Sequence, residues 1–195
     1  MIRQAVIALS LCLPAAAFAK NDDSPPKQTK TTQDCFQVRQ WDPSIKKWVK
    51  FSKPVNGVWD AKLGKCVRPD KTSYLDEGTL YEAVRELAYA GRYNDAITVL
   101  DQMPDQNSDL VMTYRGFTAR KLGDLELADV YYQKAIDLNP DNIAARSYMG
   151  QGLVAKGDKI AAMEQLREIR ARGGVGSWSE KSLASALQDG RTFNY

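Results

Sequence analysis

The stretch KLGDLELADVYYQKAIDLNPDN, Lys121–Asn142, decides the fold, because small residues stand where a soluble helix would tolerate larger ones. Gly123 can take the left-handed conformation that ends a helix, and Asp124 follows it as a natural N-cap for the next helix. Ala128 has only a methyl group, which two helices need where they cross closely. Pro140 ends the second helix because its ring cannot continue the hydrogen-bond ladder. The stretch therefore predicts a turn between two tightly crossing helices.

The same small residues recur at a fixed spacing along the chain, and a fixed period of this kind indicates stacked supersecondary units. One constant spacing relates Gly116, Gly123 and Ala128 to Gly150, Gly157 and Ala162. A slightly smaller spacing relates Gly91 and Ala96 to Gly123 and Ala128, so the first unit is shortened. We therefore expect three helical hairpins, with Asp158 as an N-cap equivalent to Asp124.

This pattern resembles the tetratricopeptide repeat family. The closest agreement with the family pattern is in residues 109–142, at Gly116, Gly123, Ala128, Tyr132, Ala135 and Pro140. The expected fold is mainly α, a helical-hairpin solenoid over residues 77–190. Its repeats are expected at 77–108, 109–142 and 143–176, followed by a capping helix at 177–189.

The resemblance also implies a binding surface, because the first helices of such repeats line a concave groove. Carried over to this chain, the lining positions are Tyr81, Arg85, Tyr89, Leu110, Thr113, Phe117, Arg120, Lys121, Ser147, Gln151 and Val154. Such a mixed aromatic and basic surface suits a peptide with a carboxylate group, oriented by guanidinium hydrogen bonds. The alternative is that the basic residues are only solvated and that Phe117 and Tyr89 only pack between helices.

Residues 1–19 have the pattern of a cleaved secretory signal. Arg3 precedes an apolar run, and small residues flank Phe18 at the expected cleavage site after Ala19. The run is too short to cross a bilayer, so no integral membrane segment is expected after cleavage. The sequence therefore predicts a periplasmic or secreted protein of the bacterial envelope.

Two segments separate this signal from the repeats. Residues 20–34 are polar and contain prolines, so we expect a flexible linker. Residues 35–70 contain two related copies, QWDPSIKKWV and VWDAKLGKCV, each typical of a small β-hairpin. A module of this size buries little, so we expect a Cys35–Cys66 disulfide to stabilise it.

Three tryptophans in this module, Trp41, Trp48 and Trp59, allow two interpretations. In the first they form a small core against the disulfide. In the second one or two are exposed as a stacking platform for sugar rings or a partner, as in extracellular carbohydrate-binding modules, which the run around Trp59 loosely resembles. Both interpretations remain open from the sequence.

Composition narrows the function classes. The 195 residues include no histidine, and no metal-ligand, nucleophile–base or phosphate-loop spacing is present, although folding could still assemble a carboxylate pair. The net charge of +3 gives no electrostatic footprint for nucleic acid. We therefore expect no catalytic residues, metal or cofactor, and a non-enzymatic adaptor that binds an unidentified protein or peptide in the groove. The alternative is a cell-wall polysaccharide-binding protein acting through the tryptophan module.

Overall fold

The structure is a computed structural model that describes residues 25–36, 39–42, 44–50, 57–69 and 75–190. The predicted signal peptide, residues 1–19, lies outside the described residues. The helices are α1 (Glu77–Tyr89), α2 (Tyr93–Leu100), α3 (Asp109–Lys121), α4 (Leu125–Leu138), α5 (Ile143–Lys156), α6 (Lys159–Ala171) and α7 (Trp178–Asp189). The strands are β1 (Arg39–Asp42), β2 (Lys47–Lys50), β3 (Val58–Asp60) and β4 (Lys65–Val67).

The helices pack as consecutive hairpins, as expected for a mainly α fold. Helix α1 pairs with α2, α3 with α4, and α5 with α6. The first helices also contact one another, since α3 touches both α1 and α5, and α7 packs on α5 and α6. No helix in the described ranges has the length and apolar character needed to span a membrane.

The predicted turn chemistry is present between the paired helices. Gly123 and Gly157 have φ values of 98° and 86°, the left-handed region that glycine accepts without strain. The side chains of Asp124 and Asp158 accept hydrogen bonds from the backbone N–H groups of Leu127 and Ala161. The second and third hairpins therefore end one helix and start the next by the same pair of residue types, whereas Arg92 precedes α2 without a side-chain cap.

The glycines at equivalent positions of the second and third hairpins are explained by what faces them. A Cβ added to Gly116 would lie 2.6 Å from the ring of Tyr132, which is fully buried. At the equivalent Gly150, an added Cβ would lie 2.6 Å from Leu183 on α7. The space beside each glycine is therefore filled, once from within the same hairpin and once from the last helix.

A polar network joins the second hairpin to the third. Asp109 Oδ2 accepts hydrogen bonds of 2.8 Å from the side-chain amides of both Asn139 and Asn142. Asn142 also donates to Thr113 Oγ1 at 3.0 Å, and its own Oδ1 caps α5 by accepting from Ala145 N. One buried asparagine thus starts α5 and ties it to α3.

The amino-terminal region forms the two expected β-hairpins. Strand β1 pairs antiparallel with β2, and β3 pairs antiparallel with β4. Both connecting turns contain one residue in the left-handed region, Lys46 with φ 49° and Gly64 with φ 62°, and these residues occupy equivalent places in the two sequence copies. The sequence copies therefore build copies of the same turn.

Residues 25–36, which we call the strap, lie against α1, although most of them fall in the predicted flexible linker. The backbone N–H and hydroxyl of Thr29 donate to Glu86 at 2.8 and 2.5 Å, and Thr32 N donates to Glu86 Oε1 at 3.0 Å. The Thr32 hydroxyl is a fourth donor to the same carboxylate. The strap ends in a π-helical turn, Thr31–Cys35, and the predicted Cys35–Cys66 disulfide joins it to β4.

The hydrophobic core extends across the predicted boundary between the small module and the helical hairpins. Cys35, Phe36 and Val58 belong to the same buried cluster as Leu80 and further residues of α1 to α5. Arg92, immediately before α2, also donates to the carbonyl of Phe36, with its guanidinium 5.4 Å from the Phe36 ring. The described β3–β4 hairpin is therefore built onto α1.

Candidate functional site

The first helices of the three hairpins, with two side chains from second helices, share one group of aromatic side chains, which we call the aromatic cluster. Phe117 is at its centre, with the ring of Tyr89 stacked at 6.1 Å and the ring of Tyr148 edge-on at 4.9 Å. The Tyr89 and Tyr148 hydroxyl oxygens are 2.8 Å apart, which joins α1 to α5. The remaining members are Tyr81, Tyr93, Tyr114 and Tyr132.

Three cationic side chains lie on these rings. The Arg120 guanidinium carbon is 5.6 Å and Lys121 Nζ is 5.5 Å from the centroid of Phe117. The Arg85 guanidinium is 5.8 Å from the centroid of Tyr81 and pairs with Glu82 at 2.9 Å. Cations favour the electron-rich faces of aromatic rings, so the cluster can hold positive charge in an otherwise apolar setting.

Burial changes the acid–base properties of the cluster. It raises the pKa of the Tyr81 and Tyr114 hydroxyls above the ordinary value of 10.0, because the phenolate would be poorly solvated. Burial, with a smaller contribution from the charge of Arg120, lowers the pKa of Lys121 to about 8. The two tyrosines therefore stay neutral at physiological pH.

Six of the predicted groove residues are thus brought together, but they differ in exposure. Tyr81, Tyr89 and Lys121 are half-buried, and we call these partly exposed side chains the accessible edge of the cluster. Phe117, expected to be an apolar anchor for a ligand, is only 1% exposed. Arg85 and Arg120 are buried at 3% and 7% exposure, so they are packed inside rather than solvated.

The remaining predicted groove positions are buried or half-buried, and two of them, Thr113 and Ser147, bond to another part of the fold. Thr113 belongs to the Asn142 network described above. Ser147 Oγ donates to the carbonyl of Ser179 on α7 at 2.8 Å, and Gln151 Nε2 donates to Ser147 Oγ at 3.4 Å. Leu110 is half-buried, and Val154 is buried in the cluster formed with α6 and α7.

The tryptophan module gives one described side chain. Trp59 in β3 is half-buried, its backbone N–H donates to Thr31 Oγ1 at 3.1 Å, and Lys30 Nζ is 4.4 Å from the centroid of its ring. Trp41 and Trp48 are opposite each other in β1 and β2, and their side chains lie outside the described residues. The interpretations of these two as core or platform remain predictions.

Sequence reasoning missed two central residues, Tyr114 and Tyr148. Both sit in the first helix of their repeats, and both contact Phe117. The signal was available, since the same spacing that relates Gly116 to Gly150 separates the two tyrosines, which therefore occupy one repeat position. Within the described ranges, no group of three metal-ligating side chains comes together.

Comparisons with known proteins give one finding. No curated protein matches this sequence. A family model does match residues 110–142, which cover most of α3, all of α4 and the loop before α5. That model describes the tetratricopeptide repeat, and the match supports a tetratricopeptide repeat protein.

Proposed function

We propose that this protein is a non-enzymatic adaptor of the bacterial cell envelope that binds a protein or peptide at the accessible edge of the aromatic cluster. The observation that carries the proposal is that Tyr89 and Lys121 both lie against Phe117 and both keep part of their surface exposed, while Tyr81, also half-buried, lies two turns earlier on α1 against Tyr114. Aromatic rings with polar ends are enriched at protein-binding surfaces, and a nearby cation adds a group that can orient a carboxylate.

The family match agrees with this choice, because tetratricopeptide repeats are typically scaffolds for protein contacts. A fold alone does not give a function, so the edge itself has to carry the proposal. Tyr89 combines an exposed part with a hydroxyl fixed by Tyr148, and a preorganised side chain loses little entropy when a partner binds.

Site-specific photo-crosslinking in the native host tests the proposal. A photoreactive phenylalanine analogue replaces Tyr89 in one variant and Val130 in the control. Val130 is 58% exposed and lies on α4, the second helix of its hairpin. We expect one discrete protein adduct from Tyr89 and none from Val130. Adducts of equal yield from both positions, or from Val130 alone, contradict the proposal.

The envelope location has its own test. If residues 1–19 are a cleaved signal, the mass of the protein isolated from the host corresponds to a chain beginning at Lys20. A protein that retains Met1 and fractionates with cytoplasmic markers contradicts the location and leaves the binding edge untouched. The two parts of the proposal can therefore fail separately.

A further inference from the structure

A cavity of about 370 Å³ lies where the strap, the β3–β4 hairpin and the start of α1 meet. Its volume is within the range of about 300–1,000 Å³ typical of small-ligand sites. Three separate parts of the chain line this cavity, so it could not be predicted from any single segment of the sequence. Its lining includes Thr31, Trp59, Ala61, Asp76, Thr79 and Glu82.

One wall of the cavity is an indole held in place. The Trp59 backbone is fixed by Thr31 Oγ1, and the ring carries the ammonium of Lys30 at 4.4 Å. Trp59 is opposite Cys66 in the strand register, and Cys66 is bonded to Cys35 in the strap. The ring therefore belongs to a cross-linked unit but keeps part of its surface exposed.

The start of α1 supplies polar lining groups whose charges are already compensated. Glu82 accepts two hydrogen bonds from Arg85 Nη1, at 2.9 and 3.1 Å. Asp76 caps α1 by accepting from Thr79 N at 2.8 Å, and Lys62 is 4.0 Å from its other oxygen. Glu86 behind them accepts four hydrogen bonds from the strap. A carboxylate oxygen has more than one lone pair, so Glu82 and Asp76 can still accept from a ligand.

We infer that this cavity binds a neutral, hydroxyl-rich ligand of the sugar class. An indole offers a broad apolar face to the C–H face of a sugar ring. The carboxylate oxygens of Asp76 and Glu82 and the hydroxyl of Thr79 in the lining match the ring hydroxyls, which both donate and accept. A cationic ligand would bind less well, because each of these carboxylates already has a cation or several hydrogen-bond donors as a partner.

The inference goes beyond the proposed adaptor function and changes the sequence-based alternative. The sequence alone predicts a glycan platform made only of the tryptophans of the two β-hairpins. The cavity also needs the strap and the first turns of α1, because Thr31, Asp76, Thr79 and Glu82 are part of its lining. Sugar binding should therefore require the complete folded chain.

The experiment is an NMR titration of the ¹⁵N-labelled mature chain with three neutral trisaccharides: cellotriose, maltotriose and N-acetylated chitotriose. The indole N–H signals of the four tryptophans serve as reporters, and Trp178 on α7 is the internal control. We expect at least one trisaccharide to shift the Trp59 signal to saturation and to leave Trp178 in place. No shift at Trp59 with any trisaccharide overturns the inference.

Variants of Trp59 and Asp76 separate the two walls. Trp59→Ala should weaken binding about tenfold or more, since it removes the stacking wall. Because the Trp59 indole reporter is lost in this variant, its affinity is read from the backbone amide signals of Asp76 and Thr79, which line the same cavity. Trp59→Phe keeps a ring and covers the case in which the alanine variant fails to fold. Asp76→Asn retains both the helix cap and a hydrogen-bond acceptor, so affinity should change by less than about threefold.

Choline chloride is the probe for the competing ligand class. A cation that used the indole and the carboxylates would shift the Trp59 signal and lose affinity strongly in Asp76→Asn. Binding of choline without binding of any trisaccharide overturns the inference. A trisaccharide response that persists unchanged in Trp59→Ala also overturns it, because the site would then lie elsewhere.

Discussion

Two regions of this protein each bury a charged side chain, and they treat it differently. Glu86 on α1 is 4% exposed and accepts four hydrogen bonds from Thr29 and Thr32 of the strap. Arg120 on α3 is 7% exposed, donates through Nε to the Tyr132 hydroxyl at 3.4 Å, and has no partner for Nη2 in the part of the chain that the structure describes. One charge is fully paired and the other is not.

The difference follows from what faces each charge. Inside a helix the backbone N–H groups are already bonded to carbonyls, so a neighbouring helix offers only side chains. The strap has little regular structure before residue 31, so its backbone N–H groups remain available for a carboxylate. A buried charge between repeat helices depends on ring faces and single hydroxyls, whereas a charge under an irregular segment can be fully satisfied.

Breaking the Cys35–Cys66 bond should have the largest effect. The bond closes a loop with a sequence separation of 31 residues. Its loss should cost about 3 to 4 kcal/mol in the chain-entropy model. Hydrogen exchange should show the strap and the β3–β4 hairpin opening first while α3 to α7 remain protected. Simultaneous loss of protection in α5 and α6 would mean that the two regions unfold as one unit.

Glu86→Ala should be next in size, because it leaves four donors facing an empty acceptor position. We expect the free energy of unfolding to fall by about 2 to 3 kcal/mol. Exchange of the Thr29 and Thr32 amides should accelerate, since both donate to this carboxylate. Glu77→Ala is the matched control: it removes a glutamate from the same helix at an exposed position, so it should cost less than about 1 kcal/mol. Equal losses in the two variants would contradict the role of Glu86.

Arg120→Met tests the repeat side of the comparison. Methionine keeps much of the packed stem and removes a buried charge that lacks one partner, so the free energy of unfolding should change by no more than about 1 kcal/mol, toward greater stability. Arg115→Met on the same helix is the control, because Arg115 is paired with Asp101 at 2.9 Å. A destabilisation above about 2 kcal/mol in Arg120→Met would show that Nη2 has a partner after all.

The smallest expected effect is on Lys121. Burial and, to a smaller extent, the charge of Arg120 lower the pKa of this residue from 10.5 to about 8. In Arg120→Met the pKa of Lys121 should rise, measured from the Cε chemical shift against pH. The folded state binds this proton less tightly than the unfolded state. The native protein should therefore gain stability as the pH rises from about 8 toward 10.5. That gain should shrink in the variant, and an unchanged Lys121 pKa would contradict the coupling.

The sequence predicted the repeat hairpins because their signals are local. Gly123 with Asp124 and Gly157 with Asp158 act within a few residues of themselves, so neighbours along the chain settle the outcome. The docking of the strap could not be predicted, because Thr29 meets a partner 57 residues away and a run of polar residues normally indicates solvent. Here the partner is a buried carboxylate, which needs polar neighbours.

The candidate site shows the same division. Repeat position placed Tyr89, Phe117 and Lys121 in one cluster, because stacked first helices bring equivalent positions together. Position alone could not tell which side chains stay accessible. The hydroxyl of Ser147 is bonded to Ser179 on α7, a helix that the repeat pattern does not include. Exposure depends on neighbouring elements, and those differ from one repeat to the next.

The contact between Gly150 and Leu183 has a consequence for how this array could grow. A further hairpin inserted after Ala171 would carry Leu183 away and leave the space beside Gly150 unfilled. The inserted unit would have to provide a side chain of the same size at the same height to restore the packing. Lengthening by simple duplication would therefore have to replace, at its first step, a contact that a leucine of α7 makes.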